Sequence, residues 1–425
     1  MATITTVTQT TDPDMERKAV AVVNSESTFD AVVNAVDQEL GALREINRAI
    51  HRNPELCYKE FKAHDNITAL LESFGFSVEK HAYGLETSFV AEYGQGGQLV
   101  TICSEYDALE GVGHACGHNL IATASIASFL GIAAALRQSG APGRVRILGC
   151  PAEEGGGGKI KLIQAGAFKD VDVALMVHAS TPLDIPQPAG AAAVGSRSVA
   201  IFRGIFTGEP AHAGVVPCME CMLRQQIRPT DRLNLYIKEG GQMTNIITAR
   251  SVVEVGVRTL TLGENEKLQE RVRNCFKGAA LATGCTVEFV SVYVSSRPVI
   301  MIMDTYADLH TNEPLCNEFT DIMSRHFNSH FHGDMGDPHI SGGGSDFGNV
   351  SYECPSLHPL FIIPTLTTDN VHAPGFTRAA GEPAAFDAAI KAAKGIALLG
   401  ARVLADEEFA KRMKEAYEED MKKYK

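Results

Sequence analysis

Between residues 88 and 177 the chain alternates short β-rich runs with one long apolar stretch, and this alternation restricts the fold more than any other feature. Ser88 to Tyr93, Gln98 to Ser104, Arg144 to Cys150 and Val171 to Val177 read as strands. Leu120 to Gln138 reads as an apolar helix between the second and third. Strands separated by helices point to the α/β class, here a helix-covered, largely parallel sheet. Thr28 to Ile50 and Lys59 to Phe74 have helical periodicity and supply further cover, the second stopping at Gly75.

After the fourth strand, Pro182 to Gly195 is rich in Pro, Ala and Gly and reads as a linker into an inserted second domain. From about Ser198 to Val299 strands and helices alternate again, with Ser251 to Leu260 a strand and Glu264 to Ala282 a helix, so the insert is a smaller α+β unit. Helical Tyr306 to Phe327 resumes the first domain. The expected organisation is a flexible tail over residues 1–27, a first domain built from 28–187 and 306–425, and an insert over 188–305. There is no internal repeat.

A chain of 425 residues, 45% hydrophobic and 21% charged, suits a two-domain globular enzyme. A formal net charge of -13 without a basic stripe argues against nucleic acid as a partner. The N-terminal stretch lacks the basic start and apolar core of a secretory signal. No window reaches the roughly 18 apolar residues of a membrane span, the most apolar segment, Leu120 to Leu136, being interrupted by Ser and Thr. Ten cysteines without dense spacing read as reduced thiols, which makes a cytoplasmic protein the expectation.

Sheets of this kind place ligands beyond the carboxyl ends of their strands. Asp107 and Cys116 follow the second strand, Glu153 the third and His178 the fourth. Cys116 and His118 are two residues apart and do not share a helical face, so they reach one ion only from a turn, which Gly117 permits. Asn119 is then placed to cap the next helix, whose N-terminus, like a metal, would favour the Cys116 thiolate. In isolation such a pair reads as a buried thiol beside satisfied loop histidines; the surrounding constellation reverses that. Glu153 and Glu154, in extended backbone, would point to opposite sides, one toward a metal and one toward a water. The glycine run ending at Lys159 suggests a phosphate loop and a nucleotide-binding transferase, but it lacks the P-loop spacing and the following Ser or Thr. His178 and His372, taken singly, are more often structural.

Six segments occur in a known order: His51-Arg52-Asn53-Pro54-Glu55-Leu56, Ser104-Glu105-Tyr106-Asp107-Ala108-Leu109, His114 to Asn119, Ala152-Glu153-Glu154-Gly155, Val177-His178 and Ala211-His212-Ala213. With them the chain resembles the aminoacylase/carboxypeptidase family of dinuclear metallopeptidases, peptidase clan MH, and closely its amidohydrolase subfamily. The Glu-Tyr-Asp-Ala-Leu form and Gly344-Ser345-Asp346-Phe347-Gly348-Asn349-Val350-Ser351 look most like its xaa-Arg or β-alanyl-lysine dipeptidase branch, near aminobenzoyl-glutamate hydrolases. The resemblance implies a zinc-exopeptidase-like catalytic domain with an inserted lid and dimerisation domain in a homodimer. It also implies a hydrolase for the amide bond of a dipeptide or N-acyl amino acid, using two divalent metal ions, zinc by default, with manganese or cobalt as alternatives. It places metal ligands at Cys116, His118, Glu154, His178 and His372, the general base at Glu153 and an orienting acid at Asp107. His212 matches the lid histidine that stabilises the oxyanion, commonly in the neighbouring subunit, and Asn245 and Arg258 match substrate-binding lid positions. Two departures stand out. Only Ala213 to Met222 join His212 to Leu223, where the family has a long helix, a loss of roughly four turns, and Thr248 replaces a usual proline. A shortened lid motivates an alternative of another class, a non-catalytic metal-binding paralogue or interaction protein.

Overall fold

The computed structural model describes residues 26–183, 188–208, 226–241, 248–291, 305–340, 343–366 and 369–424. Its central sheet has six strands in the order Val78–Lys80, Phe89–Gln95, Gly143–Gly149, Leu99–Ser104, Val173–Leu175, Ser356–Leu357. The first two junctions are antiparallel and the remaining three parallel. Leu99–Ser104 is buried at every position, as a strand covered on both faces must be, and this explains its unbroken apolar character.

One face is covered by the 22-residue helix His118–Ser139, with Pro383–Ala405 and Glu26–Gln38 packed on it. Among the described residues this is the one helix long and apolar enough to cross a membrane, contrary to the expectation that Ser and Thr interrupt it, yet 94% of that window is buried inside the protein. Its hydroxyls turn inward to carbonyls: Ser125 to Cys103 and Ser128 to Ala124 and Ala393. The opposite face carries a second cluster including Cys103, Leu148, Leu162, Met176 and Phe347.

A separate antiparallel sheet runs Arg232–Glu239, Arg250–Thr259, Ser198–Thr207, Thr286–Ser291, with the helix Leu262–Thr283 against it through Phe202, Val255, Leu268, Val272 and Phe276. Thr261 caps that helix by accepting the Glu264 N–H, and Gly284 ends it in a left-handed conformation.

Several boundaries differ from the sequence reading. Thr28 to Ile50 is two helices, Glu26–Gln38 and Leu40–Arg52, because Glu39 leaves helical geometry and lets each half turn its own apolar stripe, Val32 and Val36 or Leu43, Ile46 and Ile50, inward. Tyr306 to Asn312 is not helical: Tyr306 bridges Val199 through both backbone hydrogen bonds, and the helix begins at Glu313, where Asn312 accepts the Leu315 N–H and a proline occupies the first turn. The Pro182 to Gly195 stretch is not purely a linker, since Gly190–Ala191 pairs with Phe331–His332 and Leu360–Ile362, and Val194–Gly195 pairs with His339–Ile340. Residues 1–25 lie outside the described residues. The eight described cysteines are all free.

Candidate active site

Four segments reach the carboxyl edge of the central sheet. Leu99–Ser104 leads into Glu105 and Asp107, Gly143–Gly149 into Glu153 and Glu154, and Val173–Leu175 into His178. The fourth is the turn before His118–Ser139, where Gly117 adopts φ 79° and carries the chain from Cys116 to His118. Asn119 does not cap this helix as expected; it lies in the first turn and donates to the Ala380 carbonyl at 2.9 Å. His372, at φ 70°, arrives from the C-terminal part of the chain and donates its N–H to the Ala115 carbonyl at 2.8 Å.

The side chains converge. Cys116 Sγ is 3.3 Å from His178 Nε2, and His372 Nε2 is 3.4 Å from Glu154 Oε1. His118 Nε2 faces three carboxylates, Glu105 Oε2 at 3.5 Å and Glu153 Oε2 and Glu154 Oε1 each at 3.9 Å. Three donor sets lie within 4.8 Å: Cys116, His118 and His178; Cys116, Glu154 and His372; Glu105, His118 and Glu153. All five expected ligands and Glu153 are therefore in one cluster.

Imidazole orientation follows from the second ring nitrogen. His178 donates Nδ1–H to the Ala179 carbonyl at 2.7 Å, and His118 donates Nδ1–H to Asp107 Oδ1 at 2.9 Å. Both Nε2 atoms are thereby left as free lone pairs turned into the cluster. The other Asp107 oxygen accepts the Glu154 N–H at 2.9 Å, so this one carboxylate aligns two donors.

The residues fit a divalent cation by their own chemistry. His118 Nε2, Glu105 Oε2 and Glu154 Oε1 are buried and have no hydrogen-bond partner, which is costly unless a cation sits among them. A thiolate, imidazoles and carboxylates together suit zinc and its first-row neighbours.

Glu153 and Glu154 are not in extended backbone. They lie in a turn entered through Ala152 at φ 60°, and both carboxylates face His118 instead of opposite sides. Their electrostatics differ all the same. Burial, with Glu105 and Glu154 nearby, pushes Glu153 well above the usual carboxylate range. Burial would raise Glu154 too, but His372 and His118 reverse it and hold it below that range. The two neighbouring acids are thus driven apart by their surroundings. Burial and Glu154 push the Cys116 thiol up, with His118 acting in the opposite direction.

Sequence reasoning missed the supports. Glu60, pushed up to about 8 by burial and by Asp107, accepts N–H groups from Tyr58 and Ala152 and the Thr87 hydroxyl, fixing the start of the Glu153 turn. Tyr306 donates its hydroxyl to the Glu153 carbonyl at 2.7 Å and accepts the Gly157 N–H at 2.9 Å. Lys159 does not serve a phosphate loop; its amine is buried between Glu105 and Asp346. Burial alone would raise Glu105, but Lys159 and His118 bring it down to about 2. A fully buried lysine beside two acids leaves no mark in the sequence except the glycines that admit it.

Arg258 is outside this cluster. It lies part-buried at the end of Arg250–Thr259, paired with Val199, the residue that bridges to Tyr306. Burial and the adjacent Arg197 lower its pKa. His212 and Asn245 lie outside the described residues.

Residues 100–397 match the model of peptidase family M20/M25/M40. The Xaa-Arg dipeptidase of Mus musculus is 34% identical over 423 residues, covering 92% of this chain and 93% of the relative. The Xaa-Arg dipeptidase of Homo sapiens is 32% identical, covering 91% and 90%. A solved structure titled as a putative aminohydrolase from methicillin-resistant Staphylococcus aureus aligns with TM-score 0.68 at 20% identity over 89% of this chain and 99% of that one, a likeness of fold. A family match spanning most of the chain, laid over a buried metal-donor cluster at the sheet's carboxyl edge, makes this protein a member of the M20 peptidase family, a hydrolase with metal-binding groups.

Proposed function

We propose that the protein is a dipeptidase or amidohydrolase cleaving the amide bond of a dipeptide or N-acyl amino acid that carries a free carboxylate. The observation that carries this reading is the convergence of buried, unpartnered His118 Nε2 and Glu154 Oε1 with Cys116, His178 and His372. Cys116, His118, Glu154, His178 and His372 would hold the two divalent ions of this reading, their donor atoms falling in overlapping sets. Zinc is the default for such donors, and manganese or cobalt the alternatives. Metal held there would supply Lewis-acid chemistry, polarising the scissile carbonyl and lowering the pKa of the attacking water.

The chain's own groups supply the rest. Glu153 takes the proton of the water and passes it to the leaving amine, a task suited to a carboxyl whose surroundings raise its proton affinity. Asp107 fixes the ring of His118 and the backbone of Glu154. Arg258 and Asn245 receive the substrate carboxylate, for which a guanidinium fork is suited, and His212 donates to the oxyanion. The similarity to Xaa-Arg dipeptidases supports a dipeptide substrate. A homodimer in the cytoplasm completes the reading.

The test is amine release from dipeptides and N-acyl amino acids by protein reconstituted with zinc, manganese or cobalt, against Glu153→Gln. The variant is expected to retain its metal and lose at least about 100-fold in rate. Equal rates in variant and parent would sink the assignment of the base. Metal retention without turnover on any substrate would favour the non-catalytic paralogue.

A further inference from the structure

Beneath the ligand cluster lies a buried ion triad that the reaction scheme above does not use. The glycine run after Glu154 carries Lys159 into the interior, where its side chain is fully shielded from solvent. Its Nζ is 2.5 Å from Glu105 Oε1 and 2.6 Å from Asp346 Oδ1, while Asp346 Oδ2 accepts the Lys159 N–H at 2.9 Å. The second oxygen of Glu105 is spoken for by none of these. Oε2 has no hydrogen-bond partner, is buried, and stands 3.5 Å from His118 Nε2 in the same donor set as Glu153.

Stability does not account for this arrangement. Three desolvated ions hold a core no better than apolar side chains of the same volume. Nor can one ammonium neutralise two carboxylates, so one negative charge remains, and its free oxygen faces His118. We infer that Lys159 is a positioning residue for the metal centre: clamped by Asp346, it fixes Glu105 so that Glu105 Oε2 presents an additional anionic oxygen to the cation on the His118 side. Without the ammonium, Glu105 and Asp346 would be unscreened like charges in a dry site, and Glu105 would turn away from its present position. This inference rests on the reading that the cluster holds metal. Partners that orient ligands from outside the coordination sphere typically change metal affinity about 10- to 100-fold.

The experiment is cobalt and zinc titration of the apo full-length protein against a competing chelator, with the cobalt visible spectrum recorded at each step. Wild type must take up two equivalents; if it does not, the metal reading itself fails, whatever Lys159 does. Given two, Lys159→Met and Glu105→Gln are each expected to weaken one equivalent by about 10-fold or more, leave the other unchanged, and shift the cobalt bands of the weakened site. The double variant Glu105→Gln/Lys159→Met leaves the formal charge of the triad as it was and serves if Lys159→Met alone does not fold. It is expected to lose no more affinity than Glu105→Gln, because Lys159 acts through Glu105. Wild-type affinities and spectrum in folded Lys159→Met would overturn the inference, as would losses that multiply in the double variant.

Discussion

Gly117→Ala separates the metal-binding geometry from ordinary stability. Gly117 sits at φ 79° and ψ 23°, a left-handed conformation in which alanine costs about 1–2 kcal/mol. The added methyl would lie 2.9 Å from the Ala179 Cβ and 3.3 Å from the Phe376 ring, both buried, and overpacking of that kind costs about 1–3 kcal/mol. Loss of glycine's freedom in the unfolded chain returns about 0.4–1 kcal/mol. The net expectation is a destabilisation of roughly 1–4 kcal/mol, read as a lower urea midpoint of the apo protein at constant m. The clash has a direction as well. Ala179 follows His178, whose Nε2 is 3.3 Å from Cys116, so relief of the overlap pushes these two donors apart. Metal affinity should therefore fall along with stability. Gly140→Ala is the control: it is also left-handed, at φ 62°, ends the same helix, and has nothing within 4 Å of the new methyl. By the same reckoning it should lose at most about 1.5 kcal/mol and no metal affinity. Unchanged midpoint and metal affinity in Gly117→Ala, or an equal loss of affinity in Gly140→Ala, would refute the reasoning.

Two further outcomes follow from packing and charge elsewhere. His310 lies between Asp420, at 2.7 Å, and Asp308, at 3.2 Å, against Tyr352 and Tyr424. Burial would lower it, but hydrogen bonds to Asp308 and Asp420 win and raise it, while burial of Asp420 is outweighed by His310 and Lys423, which lower it. The raised histidine stabilises below its unfolded value near 6.5 and loses that contribution as pH climbs through the folded value; the lowered Asp420 loses its own as pH falls. The melting-temperature gap between wild type and His310→Gln should thus be widest at about pH 5 to 6 and narrow toward about pH 9, and a gap constant with pH would exclude the pairing. Gly395→Ala, inside Pro383–Ala405, should be destabilising by about 1–3 kcal/mol in chemical denaturation despite the better helix former, because the methyl would meet Met323 Sδ and the Phe319 ring.

The residues that cluster at the sheet edge were legible because their spacing and chain order survive in one dimension. Cys116, His118, Glu153, Glu154, His178 and His372 could all be named before any geometry, and the strands that position them were found within a few residues. Boundaries were lost where a tertiary contact outweighs local preference. Tyr306 to Asn312 has residues compatible with a helix, but the backbone pairing of Tyr306 with Val199 holds it extended; Asn312 and Pro314 were the local signals that marked the true start. Glu60 and Lys159 were invisible for a different reason. A buried titratable group is recognised by its partners, and those partners are 92 residues away for Glu60 and Ala152, and 54 and 187 away for Lys159, Glu105 and Asp346.

The failed expectation of extended backbone at Glu153 and Glu154 has a general cause in this site. Alternating side chains in a strand could offer only one of two neighbouring acids to His118. Delivering both requires the chain to reverse, and three of the segments that bring donors here do so through a left-handed residue: Gly117 between Cys116 and His118, Ala152 before Glu153, and His372 itself. For Ala152 and His372 that conformation costs about 1–2 kcal/mol apiece, since a Cβ is present. Fixed hydrogen bonds hold the strain in place, from the Ala152 N–H to Glu60 and from the His372 N–H to the Ala115 carbonyl. The buried Glu60 and the Ala115 carbonyl thus restrain the two turns that bring Glu153, Glu154 and His372 to the cluster. The strain accepted at Ala152 and His372 is therefore the cost of gathering these donor atoms within 4.8 Å of one another.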